Sequence, residues 1–178
     1  GEQLLEWLSK YTFPTEAKFK DKNYAEEIAI VFLDELLKNG TTTALVFAAV
    51  FPESVDAFFE EAERRNLRMI AGKVMMNRNA PDFLLDTAQS SYDETKALIE
   101  KWHQKGRLLY AVTPRFAITS TDEQLDLAGK LLSEFPDVYL HTHLSENVNE
   151  VQFVAELFPN SKGYLDVYDQ AGLVKEKS

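Results

Sequence analysis

Apolar residues along this chain fall into two alternating patterns. Four short runs rich in β-branched or aromatic side chains have the length and composition of strands: residues 42–50 (TTALVFAAV), 68–76 (RMIAGKVMM), 107–113 (RLLYAVT) and 138–144 (VYLHTHL). None alternates cleanly with polar positions, so each is expected to be buried, as in a parallel sheet covered on both faces. Between the runs, apolar positions recur at helical spacing. Residues 24–39 place Ile28, Val31 and Leu36 on one side, with Gly40 available to close the helix in the left-handed region. Residues 54–65 carry Val55, Phe58, Phe59 and Ala62, and residues 92–105 carry Leu98, Ile99 and Trp102 before stopping at Gly106. From Ser120 onward, Thr121 stands three residues ahead of Gln124, a capping-box spacing, and Leu125, Ala128, Leu131 and Leu132 follow. A last helix over residues 148–157 ends at Phe158-Pro159, and beyond Lys162 lies a short amphipathic piece.

The order is helix and strand in strict alternation, which makes this an α/β chain with a parallel sheet and right-handed crossovers. Two architectures satisfy that order, a doubly wound sheet and a (β/α) barrel. Neither a GxGxxG nor a GxxxxGK[ST] stretch occurs, which removes the commonest nucleotide-binding reason for a doubly wound sheet and favours the barrel. Both architectures place chemistry at the C-terminal ends of strands, so the residues just after each run matter most.

Composition narrows the partners. With 178 residues and 45% hydrophobic side chains, the chain can build one substantial core. Its formal net charge of −10 opposes attraction to nucleic acid and to an anionic membrane surface, so neither is expected as a partner. There is no cysteine; any metal would have to be held by His, Asp or Glu. No stretch approaches the roughly 18 consecutive apolar residues of a membrane span, and GEQLLEWLSK is not the basic start of a signal peptide. A soluble, cytoplasmic protein is expected. The amphipathic opening GEQLLEWL, without an initiator Met, reads as a cut through something larger.

Two strand ends carry candidate chemistry. After the third run comes Thr113-Pro114-Arg115-Phe116, where Arg115 could hydrogen-bond a carbonyl or ring nitrogen while Phe116 packs on a flat ligand. The competing reading is a surface arginine beside a core phenylalanine. After the fourth run come His141, His143 and Glu146. Side chains alternate along a strand, so His141 and His143 share a face with Tyr139; the pair could hold one Zn²⁺ while Glu146 deprotonates a metal-bound water. His141 could equally be a hydrogen-bonded core residue. His103, beside Trp102, is expected to be exposed and without a role. The acidic stretch Glu60-Glu61-Ala62-Glu63 reads as a solvated helix face, Met75 and Met76 as core, and residues 77–81 as a loop.

The stretches LLEWLSKYTFPTE, KNGTTTALVF, AGKVMMNRNAPDFLLDT, TPRF and HTHLSEN, taken together and in this order, resemble the guanine deaminases of the amidohydrolase superfamily. The resemblance runs over essentially the whole chain. It implies a (β/α)₈ barrel of the TIM type, of which residues 1–178 would be a single central segment, roughly strands two to five with their helices. It implies a zinc-dependent hydrolase of purine catabolism that converts guanine to xanthine and ammonia, with Zn²⁺ as cofactor of the complete enzyme. Carried over residue by residue, Arg115 and Phe116 would contact the purine, His143 would ligate zinc beside the substrate, and Glu146 would be the catalytic proton shuttle. The resemblance gives His141 no role. The family's paired metal histidines would lie upstream of Gly1, and a further histidine and the metal-binding aspartate beyond Ser178, so this segment would hold one metal ligand and be inactive alone. A related superfamily member acting on another amino-heterocycle or a chlorinated triazine is the second enzyme reading, and a catalytically inert fragment the third. A half barrel leaves sheet edges open, so homo-oligomerisation is expected.

Overall fold

In the computed structural model, which describes residues 4–178, the chain opens on short helical pieces and then alternates between helix and strand. The opening comprises α1 (Leu4–Trp7), a π-turn at Leu8–Thr12, α2 (Phe13–Glu16) and a 3-10 turn at Ala17–Lys20. Residues 1–3 of the amphipathic GEQLLEWL stretch lie outside the described residues. There follow α3 (Lys22–Lys38), β1 (Thr43–Phe47), α4 (Pro52–Arg64), β2 (Arg68–Gly72), β3 (Val74–Met75), α5 (Ala88–Trp102), β4 (Leu109–Pro114), α6 (Asp122–Glu134), β5 (Tyr139–Leu140), α7 (Val148–Leu157) and α8 (Tyr164–Gln170).

Every strand pairing is parallel. The second apolar run is one strand interrupted at Lys73. There the backbone N–H leaves the ladder and donates to Tyr110 Oη at 3.0 Å, so β2 and then β3 pair with successive parts of β4. Lys73 itself is fully buried and satisfied by the carboxylates of Asp86 and Glu94, the latter at 3.2 Å. Across the sheet the order is β1, then β2 continued by β3, then β4, then β5. Neighbours in space are thus neighbours in sequence. A doubly wound sheet reverses its strand order at a switch point, whereas an unreversed parallel series is an arc of a (β/α) barrel.

Helices α4, α5 and α6 cover one face of the arc, where Phe59, Met69, Trp102 and Tyr110 are buried together. The expected apolar stripe of α4 is buried in full: Val55, Phe58, Phe59 and Ala62. Three other expectations need correction. Of the expected α3 stripe only Leu36 packs against the core; Ala25, Ala29 and Leu33 are buried beside it, while Ile28 and Val31 are 37% and 58% exposed. Small alanines let α3 pack closely on α4, and Ile28 lines a cavity together with Ala25 and Ala29. β1 is not buried either, because it is the edge of the arc and Leu45 remains 44% exposed. The capping box expected at α6 is only half formed. Thr121 accepts from Gln124 N, but Thr121 N–H donates to Asn77 Oδ1 at 2.9 Å. Gly40, by contrast, closes α3 as expected, at φ 79°, with Gly40 N–H on Leu37 O and Thr41 N–H on Leu36 O.

Candidate functional site

The C-terminal ends of β1, β4 and β5 converge on one cavity of about 420 Å³. Arg115, Phe116, His143 and Glu146 all line it, together with Phe47 from β1 and Glu16 from α2. The parallel pairing of β4 with β5 brings the two sequence motifs side by side, with Val112 opposite Leu140. Beyond that point the chain leaves the ladder but stays tied to β4: His141 N–H donates to Val112 O at 3.0 Å and His143 N–H to Arg115 O at 3.1 Å. This is why β5 is only two residues long where the apolar run suggested seven.

Arg115 is neither exposed nor free. Its side chain is 9% exposed, its Nη1 lies 2.8 and 2.9 Å from the two carboxylate oxygens of Glu16, and its guanidinium sits 5.4 Å over the ring of Phe13. Burial pushes the Glu16 carboxyl above its ordinary range, and the Arg115 charge and hydrogen bond offset only part of that rise. Phe116 is buried and meets the His143 ring edge-on at 6.2 Å. The surface-arginine reading of Arg115 therefore fails.

His143 Nδ1 lies 2.8 Å from Arg115 O. A carbonyl only accepts, so Nδ1 carries the proton and the Nε2 lone pair is left for a ligand. A backbone carbonyl fixing the tautomer in this way is the usual support of a metal-binding histidine. His141 does share the site's side of the chain, with its ring centroid 3.9 Å from that of Phe47 and the His143 ring 4.4 Å from the same phenylalanine. Its Nδ1 is buried without a partner, and burial first, then the neighbouring His143, hold its pKa down to about 4. It is neutral at pH 7. Glu146 is exposed at the mouth, fixed by its backbone: Glu146 N–H and Asn147 N–H donate to Glu150 Oε2 at 2.8 and 3.0 Å, in the capping box that starts α7. Among the described residues no group of three or more His, Asp or Glu side chains could hold a metal ion. The donors present do not amount to a metal site, and His143 offers one ligand.

Several supporting residues carry no local sequence signal. Tyr168 on α8 accepts from Ala117 N–H at 2.9 Å and donates to His143 O at 2.8 Å, joining the loops that carry both motifs. Its partners lie 51 and 25 residues away in the chain. Arg78 braces the same loop from the other side, donating to Ile118 O and Ala117 O, so residues 77–81 support the site rather than line it. Glu16 lies 99 residues from its partner Arg115. His103 is half-buried, not exposed, and its Nδ1 accepts from Tyr110 N–H at 3.1 Å at the opposite end of β4.

Comparisons with known proteins agree with this fold. A guanine deaminase of Escherichia coli K12 is 62% identical over 173 residues, covering 97% of this chain and 39% of that protein. The crystal structure of guanine deaminase from Bradyrhizobium japonicum superposes with a TM-score of 0.98 at 46% identity, covering 99% of this chain and 38% of that one. Guanine deaminase from C. acetobutylicum, solved with guanine bound in its active site, superposes with a TM-score of 0.95 at 34% identity, over 99% of this chain and 42% of that one. The chain thus spans about two fifths of the length of the curated relatives it matches. The amidohydrolase family matches residues 1–177, and this chain belongs to it.

Proposed function

We propose that these 178 residues are the central part of the barrel domain of a zinc-dependent guanine deaminase, which hydrolyses guanine to xanthine and ammonia. The observation that carries the reading is the convergence of Arg115, Phe116, His143 and Glu146, from two strand ends, on one cavity. In this reading Phe116 lies beside the flat purine and an Arg115 N–H donates to its carbonyl. Glu146 carries one proton of the attacking water to the ring nitrogen and then the second, from the hydroxyl so formed, to the amine, which leaves as ammonia as the new carbonyl forms; it acts first as base and then as acid in each transfer. His143, with Nδ1 held by the Arg115 carbonyl, would offer Nε2 as one ligand of a zinc ion, which would supply an activated water. On this reading the segment contributes one of the roughly three protein ligands that a catalytic zinc takes, and the isolated chain would be inactive.

The test is Glu146→Gln in the complete protein. Removing the proton carrier should lower kcat for ammonia release by about 10²–10⁴-fold while zinc content is unchanged. Turnover at the wild-type rate would refute the role.

A further inference from the structure

We infer that Glu16 is a positioning residue for the substrate: it holds the Arg115 guanidinium by one nitrogen, cancels its charge, and leaves the remaining N–H edge for the carbonyl of an uncharged purine. This rests on the reading of Arg115 as the purine contact.

Three features of the pair support it. Both Glu16 oxygens approach the same nitrogen, Nη1, at 2.8 and 2.9 Å. The usual forked pairing of a carboxylate with arginine spreads over two nitrogens. Here Nη2 and Nε have no protein partner among the described residues, although Arg115 is buried and lines the cavity. The Phe13 ring covers the guanidinium, so the group is held at an edge and over its plane. Finally, the two residues stand 99 positions apart in the chain, and both line the same cavity. Two desolvated charges are costly unless each satisfies the other, so the guanidinium in place depends on Glu16 being ionised and present.

The pairing has a chemical consequence for selection. A guanidinium already matched by a carboxylate offers hydrogen bonds without net attraction for an anion. Xanthine, the product of the proposed reaction, is a stronger acid than guanine and exists increasingly as a monoanion above neutral pH. Glu16 therefore favours the neutral substrate and weakens retention of the ionised product.

The experiment compares Glu16→Gln, Glu16→Asp and Arg115→Ala in the complete enzyme, measuring guanine kcat and KM, and xanthine inhibition as a function of pH. Glu16→Gln keeps the shape and removes the charge. It should raise guanine KM about tenfold, the cost of a misplaced hydrogen bond from a charged donor, with kcat within about threefold of wild type. Xanthine inhibition should tighten, increasingly so at higher pH, and Glu16→Asp should fall between Gln and wild type. Wild-type KM and wild-type xanthine inhibition in Glu16→Gln, beside a raised KM in Arg115→Ala, would overturn the role of Glu16 alone. Loss of kcat at unchanged KM, or xanthine inhibition with no added pH dependence, would overturn it as well. An unchanged KM in Arg115→Ala would instead refute the purine contact and this inference with it. Should Glu16→Gln not fold, Glu16→Asp decides by the same two readouts: values equal to wild type refute the proposal.

Discussion

A single methyl group at position 72 would break the centre of the arc. A Cβ on Gly72 would stand 1.7 Å from Ala111 O and 2.9 Å from Thr113 Oγ1, so β2 and β4 could not keep their spacing. Both neighbours belong to the middle of the sheet and cannot swing aside. Gly72→Ala in the complete protein should therefore cost at least about 1–3 kcal/mol of stability, read as a lower denaturant midpoint. A midpoint equal to wild type would show that the sheet opens at that point without penalty. At this scale the sequence was informative wherever a residue's role is local or belongs to a contiguous motif. Arg115, Phe116, His143 and Glu146 could be singled out from TPRF and HTHLSEN, and the four do line one cavity. Glu16, Tyr168 and Arg78 could not, because nothing in FPTE or in an amphipathic C-terminal helix says which loop it will reach. Their partners are set by the fold, at separations of 25 to 99 residues.

At the scale of elements, the turn from α5 into β4 holds a titrating group. His103 is the residue after α5, and its Nδ1 accepts the Tyr110 backbone N–H, which a protonated imidazole cannot do. Burial lowers its pKa below the ordinary 6.5; Asp137 opposes that shift and Lys177 adds to it. A histidine with a depressed folded pKa binds fewer protons in the folded state. Its contribution to stability is thus complete above about pH 6.5 and lost as pH falls from there through the folded value. The stability difference between wild type and His103→Ala, from thermal melts of the complete protein, should shrink between pH 7 and pH 5. A difference independent of pH would exclude this hydrogen bond as the cause. Helix positions were well marked in sequence, and α7 has the bounds its pattern suggested. Helix faces were less so. α3 carries an unbroken apolar run from Ile28 to Leu33, and periodicity could not choose between Ala25-Ala29-Leu33 and the larger Ile28 and Val31. α5 starts at Ala88, four residues early, because Thr87 and Ser90 cap each other, a box with serine in place of the acidic partner.

For the whole molecule, an arc of four strand positions is the part of a closed barrel that this chain supplies, and its two ends are unlike. At β5 the edge is partly covered, since Leu140 N–H donates to Lys177 O at 3.0 Å near the C-terminus. At β1 no further strand pairs among the described residues, and large apolar side chains are exposed: Leu45 on the strand and, on α3, Val31 with Ile28 and Phe32, which also line the cavity, are each 37–58% exposed. Unpaired backbone groups beside exposed branched and aromatic side chains form a template for pairing with another chain. The formal charge of −10 opposes that contact only weakly at physiological salt, where the Debye length is about 8 Å. The isolated 178-residue chain should therefore associate with itself through β1 and α3, and sedimentation equilibrium should show a mass that rises with concentration. Leu45→Lys places a charge on the open edge and should shift the equilibrium toward monomer. The same preparation should retain far less than one zinc per chain, since catalytic zinc takes about three protein ligands and the proposed reading gives this segment only His143. A monomer at all concentrations would mean that the arc closes its own edge. Stoichiometric zinc would mean that association brings ligands from two copies into one site.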